Sequence, residues 1–269
     1  MIFKVGDISI SINCSNDILR RGILSQYNEF ILETNENVSD FILEIDWEPS
    51  YHDRLQEEFV IKFIDNYITA SNQFSSVRFD LKNNVGVLQI NLRDPFYAID
   101  YFLRICLSLI AFNHGGFLLH SAGIVRNDLA YLFFGPSGSG KTTIAKNSSN
   151  FKILNDDLIL ILNQNGKWKA YGTPFWNPTQ ETPRNDNAHV KGAFYIIKDD
   201  KVHLDTLYRS KALGLLIAGI PIINANKDYI YRTIALLEEF LNDIPAFELR
   251  LPKGAHFWEV IDDYFGKYD

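Results

Sequence analysis

The sequence predicts an α/β fold with α+β character, made of a β-rich antiparallel N-terminal module (residues 1–95) and a mixed-sheet domain (residues 96–269). Three observations predict this organisation. Up to about residue 92 the chain consists of short β-like runs and turns. A glycine-rich loop beginning at Gly135 is entered by an apolar strand and left by a short helix. A hairpin with its turn at Asn165-Gly166 then follows, where a doubly wound nucleotide fold would continue with a helix.

The composition restricts the possible classes of function. The 269 residues are enough for one large or two small domains with a core. A net charge of −7 argues against nucleic acid or an anionic membrane as partner. Cys14 and Cys106 lack metal-ligand spacing and are too few for a disulfide framework, so we expect a cytoplasmic protein. No basic region followed by an apolar run occurs at the N-terminus, so no signal peptide is expected.

The N-terminal module is predicted to be an antiparallel meander. Its predicted strands are Ile8–Asn13, Phe41–Trp47, Phe59–Ile64, Val77–Leu81 and Val85–Leu92. The dipeptide Asn83-Asn84 between the last two strands is a hairpin signal. Because no chemical motif occurs in this module, we expect it to be a scaffold or a partner-binding surface.

The apolar segment from Tyr97 to Phe112 follows Asp94-Pro95 and predicts a buried helix. It carries Asp100 and Arg104 and is shorter than a bilayer requires. The remaining elements alternate strand and helix. Strands are predicted at Phe117–Val125, Leu129–Phe134, Phe151–Leu154, Leu158–Leu162, Trp168–Tyr171 and Ala193–Ile197, and helices at Thr142–Asn147, Arg209–Ile217 and Asp228–Leu241, with a final strand and helix from Phe247.

A long loop is predicted at residues 173–190, which are rich in proline and asparagine and lack periodicity. Long loops in compact domains are often functional. Within it, Phe175 and Trp176 could stack on adenine or on a substrate side chain, although packing in the core is the alternative for both.

The glycine-rich loop fits the phosphate-binding pattern G-x-x-x-x-G-K-[ST]. Glycines let backbone N–H groups turn inward around a phosphate, and the following helix adds the positive end of its dipole. Lys141 is expected to reach the β- and γ-phosphates, and Thr142 to bind Mg²⁺. A glycine-rich turn that only caps a helix is the alternative. The predicted ATP-binding residues are Gly135, Pro136, Ser137, Gly138, Ser139, Gly140, Lys141, Thr142 and Thr143.

Two aspartates, Asp156 and Asp157, end an apolar strand soon after this loop. One carboxylate could hold Mg²⁺, and the other could accept a proton from an attacking hydroxyl. A plain strand-end turn is the alternative, since Asn-Asp-Asp is good turn chemistry. Only fourteen residues separate Lys141 from Asp156, which is shorter than the usual spacing in GTPases and transport ATPases.

The run HSAGIVRNDLAYLFFGPSGSGKTTIAKNSSNFKILNDDLILI resembles the catalytic core of the HPr kinase/phosphorylase family. It is more similar still to shorter HPr-kinase-like proteins, some of which accompany lasso-peptide biosynthesis. ATP-dependent phosphoenolpyruvate carboxykinase is a more distant relative of the same fold. The similarity is strong from Phe117 to Tyr171 and weak to the C-terminus. The resemblance implies a P-loop core of HPr kinase/PEP carboxykinase type with a mixed sheet and a short P-loop helix.

The resemblance also implies a role for each matching residue. Asp156 would be the general base that takes the proton from a serine hydroxyl, and Lys141 would act on the phosphates. Asp157 would lie near the metal beside Thr142. His120 would interact with the base and tune its pKa, although a histidine satisfied within the core is the alternative.

The sequence departs from the family in one feature, the Arg-Gly-x-Gly loop expected after the aspartates. The nearest replacements are Arg184 and Lys191, which is followed by Gly192. Either cation could neutralise charge on a transferring phosphate, and either could be a solvated loop cation.

We therefore predict an ATP- and Mg²⁺-dependent phosphotransferase acting on a serine-type hydroxyl of a small protein or precursor peptide. Two alternatives remain: an inactive nucleotide-binding regulatory protein, and a kinase of a small hydroxylated metabolite. Homo-oligomers are possible, and neither nucleic acid nor membrane is an expected partner.

Overall fold

The computed structural model describes residues 1–33, 39–51, 59–175, 183–221 and 227–266. The chain divides into two compact units, Met1–Asn113 with Asn224–Lys227, and His114–Ile223 with Asp228–Asp269. The division therefore lies at residues 113/114 rather than at the predicted 95/96. The difference arises because the long apolar helix belongs to the first unit.

The first unit contains an eight-stranded sheet with the strand order β3-β1-β2-β4-β8-β7-β6-β5. Its elements are β1 (Ile2–Val5), β2 (Ile8–Cys14), α1 (Asp17–Gln26), a 3₁₀ turn (Asn28–Phe30), β3 (Ile31–Leu32), β4 (Phe41–Trp47), β5 (Val60–Ile64), β6 (Tyr67–Ser71), β7 (Ser75–Asp80), β8 (Val85–Ile90) and α2 (Phe96–Asn113).

The prediction of an antiparallel module is wrong for the centre of this sheet. Strand β4 pairs in parallel with both β2 and β8, while the flanking pairs are antiparallel. Each parallel pair requires a crossover connection. Helix α1 lies in the connection from β2 to β4, whereas β4 and β8 are connected through β5, β6 and β7. This helix begins after Asn16, whose side chain accepts hydrogen bonds from the backbone N–H groups of Ile18 and Leu19. Asn84, at the predicted hairpin turn, has a positive φ of 54°.

Helix α2 is apolar around most of its circumference, and its central residues are buried. By length and composition alone it meets the criteria for a membrane-crossing helix, with 18 residues and a mean hydropathy of 1.4. The helix is therefore long enough to cross a membrane, although the apolar segment in the sequence was expected to be too short. Because 61% of the helix is buried within the protein, it also has the character of a core helix.

The second unit is built on a nine-stranded mixed sheet. Its elements are β9 (Gly116–Leu119), β10 (Ser121–Arg126), β11 (Leu129–Phe134), α3 (Lys141–Asn147), β12 (Lys152–Asn155), β13 (Ile159–Gln164), β14 (Lys167–Gly172), β15 (Asn187–Lys198), β16 (His203–Thr206), α4 (Arg209–Ala218), α5 (Lys227–Asp243), β17 (Ala246–Leu251) and α6 (Trp258–Phe265). Strand order runs β12-β10-β11-β15-β14-β13-β9, and β17 pairs with β15 and β16.

Strand direction determines where a site can form in this unit. Strands β11, β15 and β17 are mutually parallel. Strand β10 is antiparallel to both β11 and β12, so β12 points the same way as β11. The carboxyl ends of these four strands consequently lie at one edge of the sheet, the edge where open α/β sheets bind ligands.

Helices cover both faces of this part of the sheet. Phe133 and Phe194 belong to the core beneath α3 and α6, whereas the next residue on β15, Tyr195, packs against a cluster that includes Ala212 of α4. The alternation follows the two-residue period of a strand. The second unit thus has helix, sheet and helix layers around the candidate site.

Two predicted boundaries in this unit change. The single strand predicted at Phe117–Val125 is divided at His120, because β9 pairs with β13 whereas β10 pairs with β11 and β12. The predicted loop at 173–190 ends earlier, because β15 begins at Asn187 and pairs there with β14. Phe175 is fully buried, which favours packing over stacking on a ligand. Trp176 lies outside the described residues.

Candidate functional site

The glycine loop lies at the carboxyl end of β11 and leads directly into α3, as the sequence predicts. Three of its glycines have positive φ, at 155° for Gly135, 75° for Gly138 and 116° for Gly140. The two later values favour glycine strongly because a side chain would strain the backbone. The hydroxyl of Ser139 is buried inside the loop.

The side chain of Lys141 folds back over the loop. Its ammonium group donates hydrogen bonds to the carbonyl oxygens of Gly135 (2.8 Å) and Pro136 (3.2 Å). Burial lowers the pKa of Lys141, and the negative charges of Asp157 and Asp156 oppose this effect. A cation held within the loop and partly desolvated in this way is suited to bind a phosphate.

Asn155 organises the acidic turn at the end of β12. Its buried side-chain oxygen accepts hydrogen bonds from the backbone N–H groups of Asp157 (2.7 Å) and Leu158 (3.2 Å). Its amide nitrogen donates to the carbonyl oxygens of Thr173 (2.7 Å) and Phe175 (3.0 Å). The turn is therefore hydrogen-bonded to the segment at Thr173, which lies eighteen residues further along the chain. Sequence reasoning identified Asn155 only as a turn former.

Asp156 is 2% exposed, and neither of its carboxylate oxygens makes a hydrogen bond of ordinary geometry within the described structure. Burial raises its pKa from 3.8 to about 6, and the charge of Asp157 adds to the rise. The Thr142 hydroxyl acts in the opposite direction and favours the ionised form. A buried carboxylate without full compensation is costly to a protein, so its presence beside Thr142 points to a cationic ligand.

His120 lies opposite the acidic turn for a topological reason. Strand β9 pairs antiparallel with β13, and β10 pairs antiparallel with β12. The break between β9 and β10, at His120, therefore lies opposite the break between β12 and β13, which contains the two aspartates. The ring Nδ1 of His120 is 3.3 Å from the backbone oxygen of Asp157 and 3.6 Å from its carboxylate Oδ1. The backbone N–H of His120 donates to the carbonyl of Gly219 (2.8 Å), which ends α4. Among the two aspartates, the histidine thus contacts Asp157, whereas the family resemblance paired it with Asp156.

One cavity of about 360 Å³ lies between Lys141, Asp157 and His120, and we call it the acid-side cavity. It is lined by His120, Asp157, Lys141 and the first half of the glycine loop, with Leu215 and Ala218 of α4 as an apolar wall. The cavity therefore joins a phosphate-type loop, a cation, a carboxylate and an imidazole at the ligand-binding edge of the sheet.

The donor set is compatible with Mg²⁺ but is not a preformed cage. Among the described residues there is no cluster of three or more His, Cys, Asp or Glu side chains that could hold a metal. Mg²⁺ is usually held by one or two carboxylates together with water and substrate phosphates. Asp157 was the predicted ligand, whereas it is the buried carboxylate of Asp156 that interacts with the Thr142 hydroxyl.

Neither candidate replacement for the missing arginine loop lines this cavity. Lys191 lies over the ring of Phe265 at 4.7 Å, on the side of α6. The Arg184 side chain is exposed, and its backbone N–H donates to the carbonyl of Leu154 (3.2 Å), two residues before Asp156. Of the two, Arg184 is therefore attached to the strand that carries the aspartates.

Comparison with known proteins gives little further information. No known protein family and no curated protein matches the chain. One similar solved structure is the HPr(Ser) kinase/phosphatase from Coxiella burnetii, at 10% sequence identity and a TM-score of 0.32. The match covers 56% of this chain and 97% of that one. The function proposed below therefore depends on the site and not on this similarity.

Proposed function

We propose that the chain is a nucleotide-dependent phosphotransferase that moves the γ-phosphoryl group of ATP to a serine-type hydroxyl of a small protein or peptide. The observation that carries the proposal is the acid-side cavity, where Lys141 and the glycine loop face Asp157 and His120. The same residues carry the sequence resemblance to HPr-kinase-like proteins.

The chemistry divides among the residues as follows. The acceptor oxygen forms a bond to the γ-phosphorus while the bond from that phosphorus to the β-γ bridging oxygen breaks, which releases ADP. Asp157 receives the hydroxyl proton, and His120 at 3.6 Å orients its carboxylate. Lys141 turns from the loop carbonyls to the phosphates and offsets their charge.

Asp156 and Thr142 would hold Mg²⁺, which would supply further charge neutralisation on the β- and γ-phosphates. This division reverses the roles that the family resemblance implied for the two aspartates. Two observations motivate the reversal. Asp156 is buried next to Thr142, whereas the side chain of Asp157 is 28% exposed and lies in the cavity with His120.

Transfer of ³²P from γ-labelled ATP to a panel of serine peptides, small proteins and hydroxylated metabolites tests the proposal. Wild type should label a peptide or protein acceptor, and Lys141→Ala should not. As a matched control, Lys167→Ala removes an exposed lysine at the start of β14 and should retain activity.

The aspartate variants separate the two roles. Asp157→Asn should lower kcat by roughly 10²–10⁴-fold while ATP binding persists, as expected for loss of a general base. Asp156→Asn should instead abolish the Mg²⁺ dependence of ATP binding. If wild type binds ATP but labels no acceptor, the protein is a nucleotide-binding regulator. Labelling of metabolites alone would indicate a small-molecule kinase.

A further inference from the structure

The glycine loop separates two cavities, of which only one contains acidic and imidazole groups. The second, of about 270 Å³, is lined by Gly138, Thr143 and Asn147 on one side. Its opposite side is formed where β15 and β17 end, at Lys198 and at the turn of residues 251–254. We call it the lysine-side cavity. It lies at the same ligand-binding edge of the sheet as the acid-side cavity.

We propose that the lysine-side cavity receives the nucleoside part of the phosphate donor, and that the acid-side cavity is thereby left to the acceptor. This inference rests on the proposed function, and it specifies which side of the loop each substrate occupies. Neither the loop motif nor the family resemblance indicated this second cavity.

The position of the loop between the cavities supports the orientation. Residues 135–137 line the acid-side cavity, while residues 138–140 line the lysine-side cavity. A triphosphate held by the loop and Lys141 therefore has one end on each side. Its reacting γ-phosphate must face Asp157, which borders only the acid-side cavity, so the nucleoside leaves on the other side.

The chemistry of the walls fits a nucleoside. Ile196, Leu251 and Pro252 offer apolar surface to a base, which suits the mostly apolar lining of ligand sites. The exposed Lys198 and Lys253 supply positive charge, and the lining residues in the described part of the chain include no carboxylate. This combination suits a flat ring attached to a phosphate.

Asn147 also offers a means of selecting the base. It is exposed at the end of α3, and an asparagine amide can pair with the N6 amino group and N7 of adenine. We therefore expect ATP to bind more tightly than GTP at this cavity.

Photolabelling of the wild-type chain with 8-azido-ATP locates the base directly. Label that excess ATP removes should occur in tryptic peptides of residues 147–152, 192–198 or 251–253. Protected label in residues 212–227, which include the α4 wall of the acid-side cavity, would overturn the inference but leave the phosphotransferase proposal standing.

Binding titrations give an independent test by comparing ATP with inorganic tripolyphosphate, which has no nucleoside. The double variant Asn147→Ala/Lys253→Ala should weaken ATP binding about tenfold and change tripolyphosphate binding by less than about threefold. Lys201→Ala, in the exposed β15–β16 turn, is the matched control and should change neither.

Equal effects of the double variant on both ligands, or no effect on either, would contradict the inference. Loss of both ligands in Lys141→Ala would at the same time support the loop assignment. If wild type bound neither ATP nor tripolyphosphate, the proposed function and this inference would both fail.

Discussion

The Asp156→Asn variant should stabilise the nucleotide-free protein at neutral pH. The pKa of this carboxyl is raised to about 6 in the folded state, chiefly by burial. The folded protein therefore holds the proton more tightly than the unfolded chain. The resulting stabilisation is fully present below the ordinary pKa of 3.8 and is lost as pH rises through 6. The loss amounts to about 3 kcal/mol once the carboxylate is ionised.

Urea unfolding of wild type and variant at pH 5 and pH 8, with chelator and without nucleotide, measures this cost. Because the variant does not titrate at this position, its advantage over wild type should grow by about 1.4 kcal/mol between the two pH values. The comparison across pH cancels any constant effect of the new amide.

Parallel stability profiles for wild type and Asp156→Asn would refute this reasoning. They would mean that the protein itself already compensates the charge of Asp156. The orphaned carboxylate would then be no indication of a cationic ligand, and the assignment of Asp156 and Thr142 to Mg²⁺ would lose its physical basis.

Four further substitutions test other parts of the structure by urea unfolding. Gly140→Ala should destabilise the protein by about 1–2 kcal/mol because the φ of Gly140 is 116°. Gly214→Ala, within α4 and with open space around the added methyl group, should stabilise it by about 0.5–1 kcal/mol. The opposite order would contradict the loop geometry. Asn155→Ala should cost about 3 kcal/mol because it leaves buried backbone groups unpaired, and an unchanged midpoint would show that the acidic turn is held by other contacts. The hydrogen bond from Lys211 lowers the pKa of Glu248, so the contribution of this ion pair to stability is present above the ordinary pKa of the carboxyl and is lost as pH falls. Glu248→Gln should therefore make the stability depend less on pH in acid. An unaltered pH dependence would count against the ion pair.

Features with a local cause could be predicted from the sequence. The bounds of β4 are those expected from Phe41–Trp47, and turns occur where they were predicted, with a positive φ of 54° at both Asn84 and Asn165. The strand, glycine loop and short helix also occur in the predicted order. In each case a period, a turn residue or a motif within about ten residues determines the structure.

Features that depend on distant pairing could not be predicted. The parallel pairing of β2 with β4 depends on the unpredicted crossover helix α1. The interruption at His120 falls within a segment predicted to be one strand, and it exists because the two halves pair with different strands. Likewise, the role of Asn155 depends on Thr173 and on how that segment returns to β12. A single sequence carries no local signal for these partners.

Stabilisation by Mg²⁺-ATP is the most direct test of a nucleotide-dependent site. At a ligand concentration of one hundred times Kd, ATP should raise the unfolding free energy of wild type by about 2.7 kcal/mol. Lys167→Ala should gain the same amount, and Lys141→Ala should lose most of the gain while remaining folded. Equal stabilisation of wild type and Lys141→Ala, or no stabilisation of either at millimolar ATP, would contradict the assignment of the glycine loop to nucleotide phosphates.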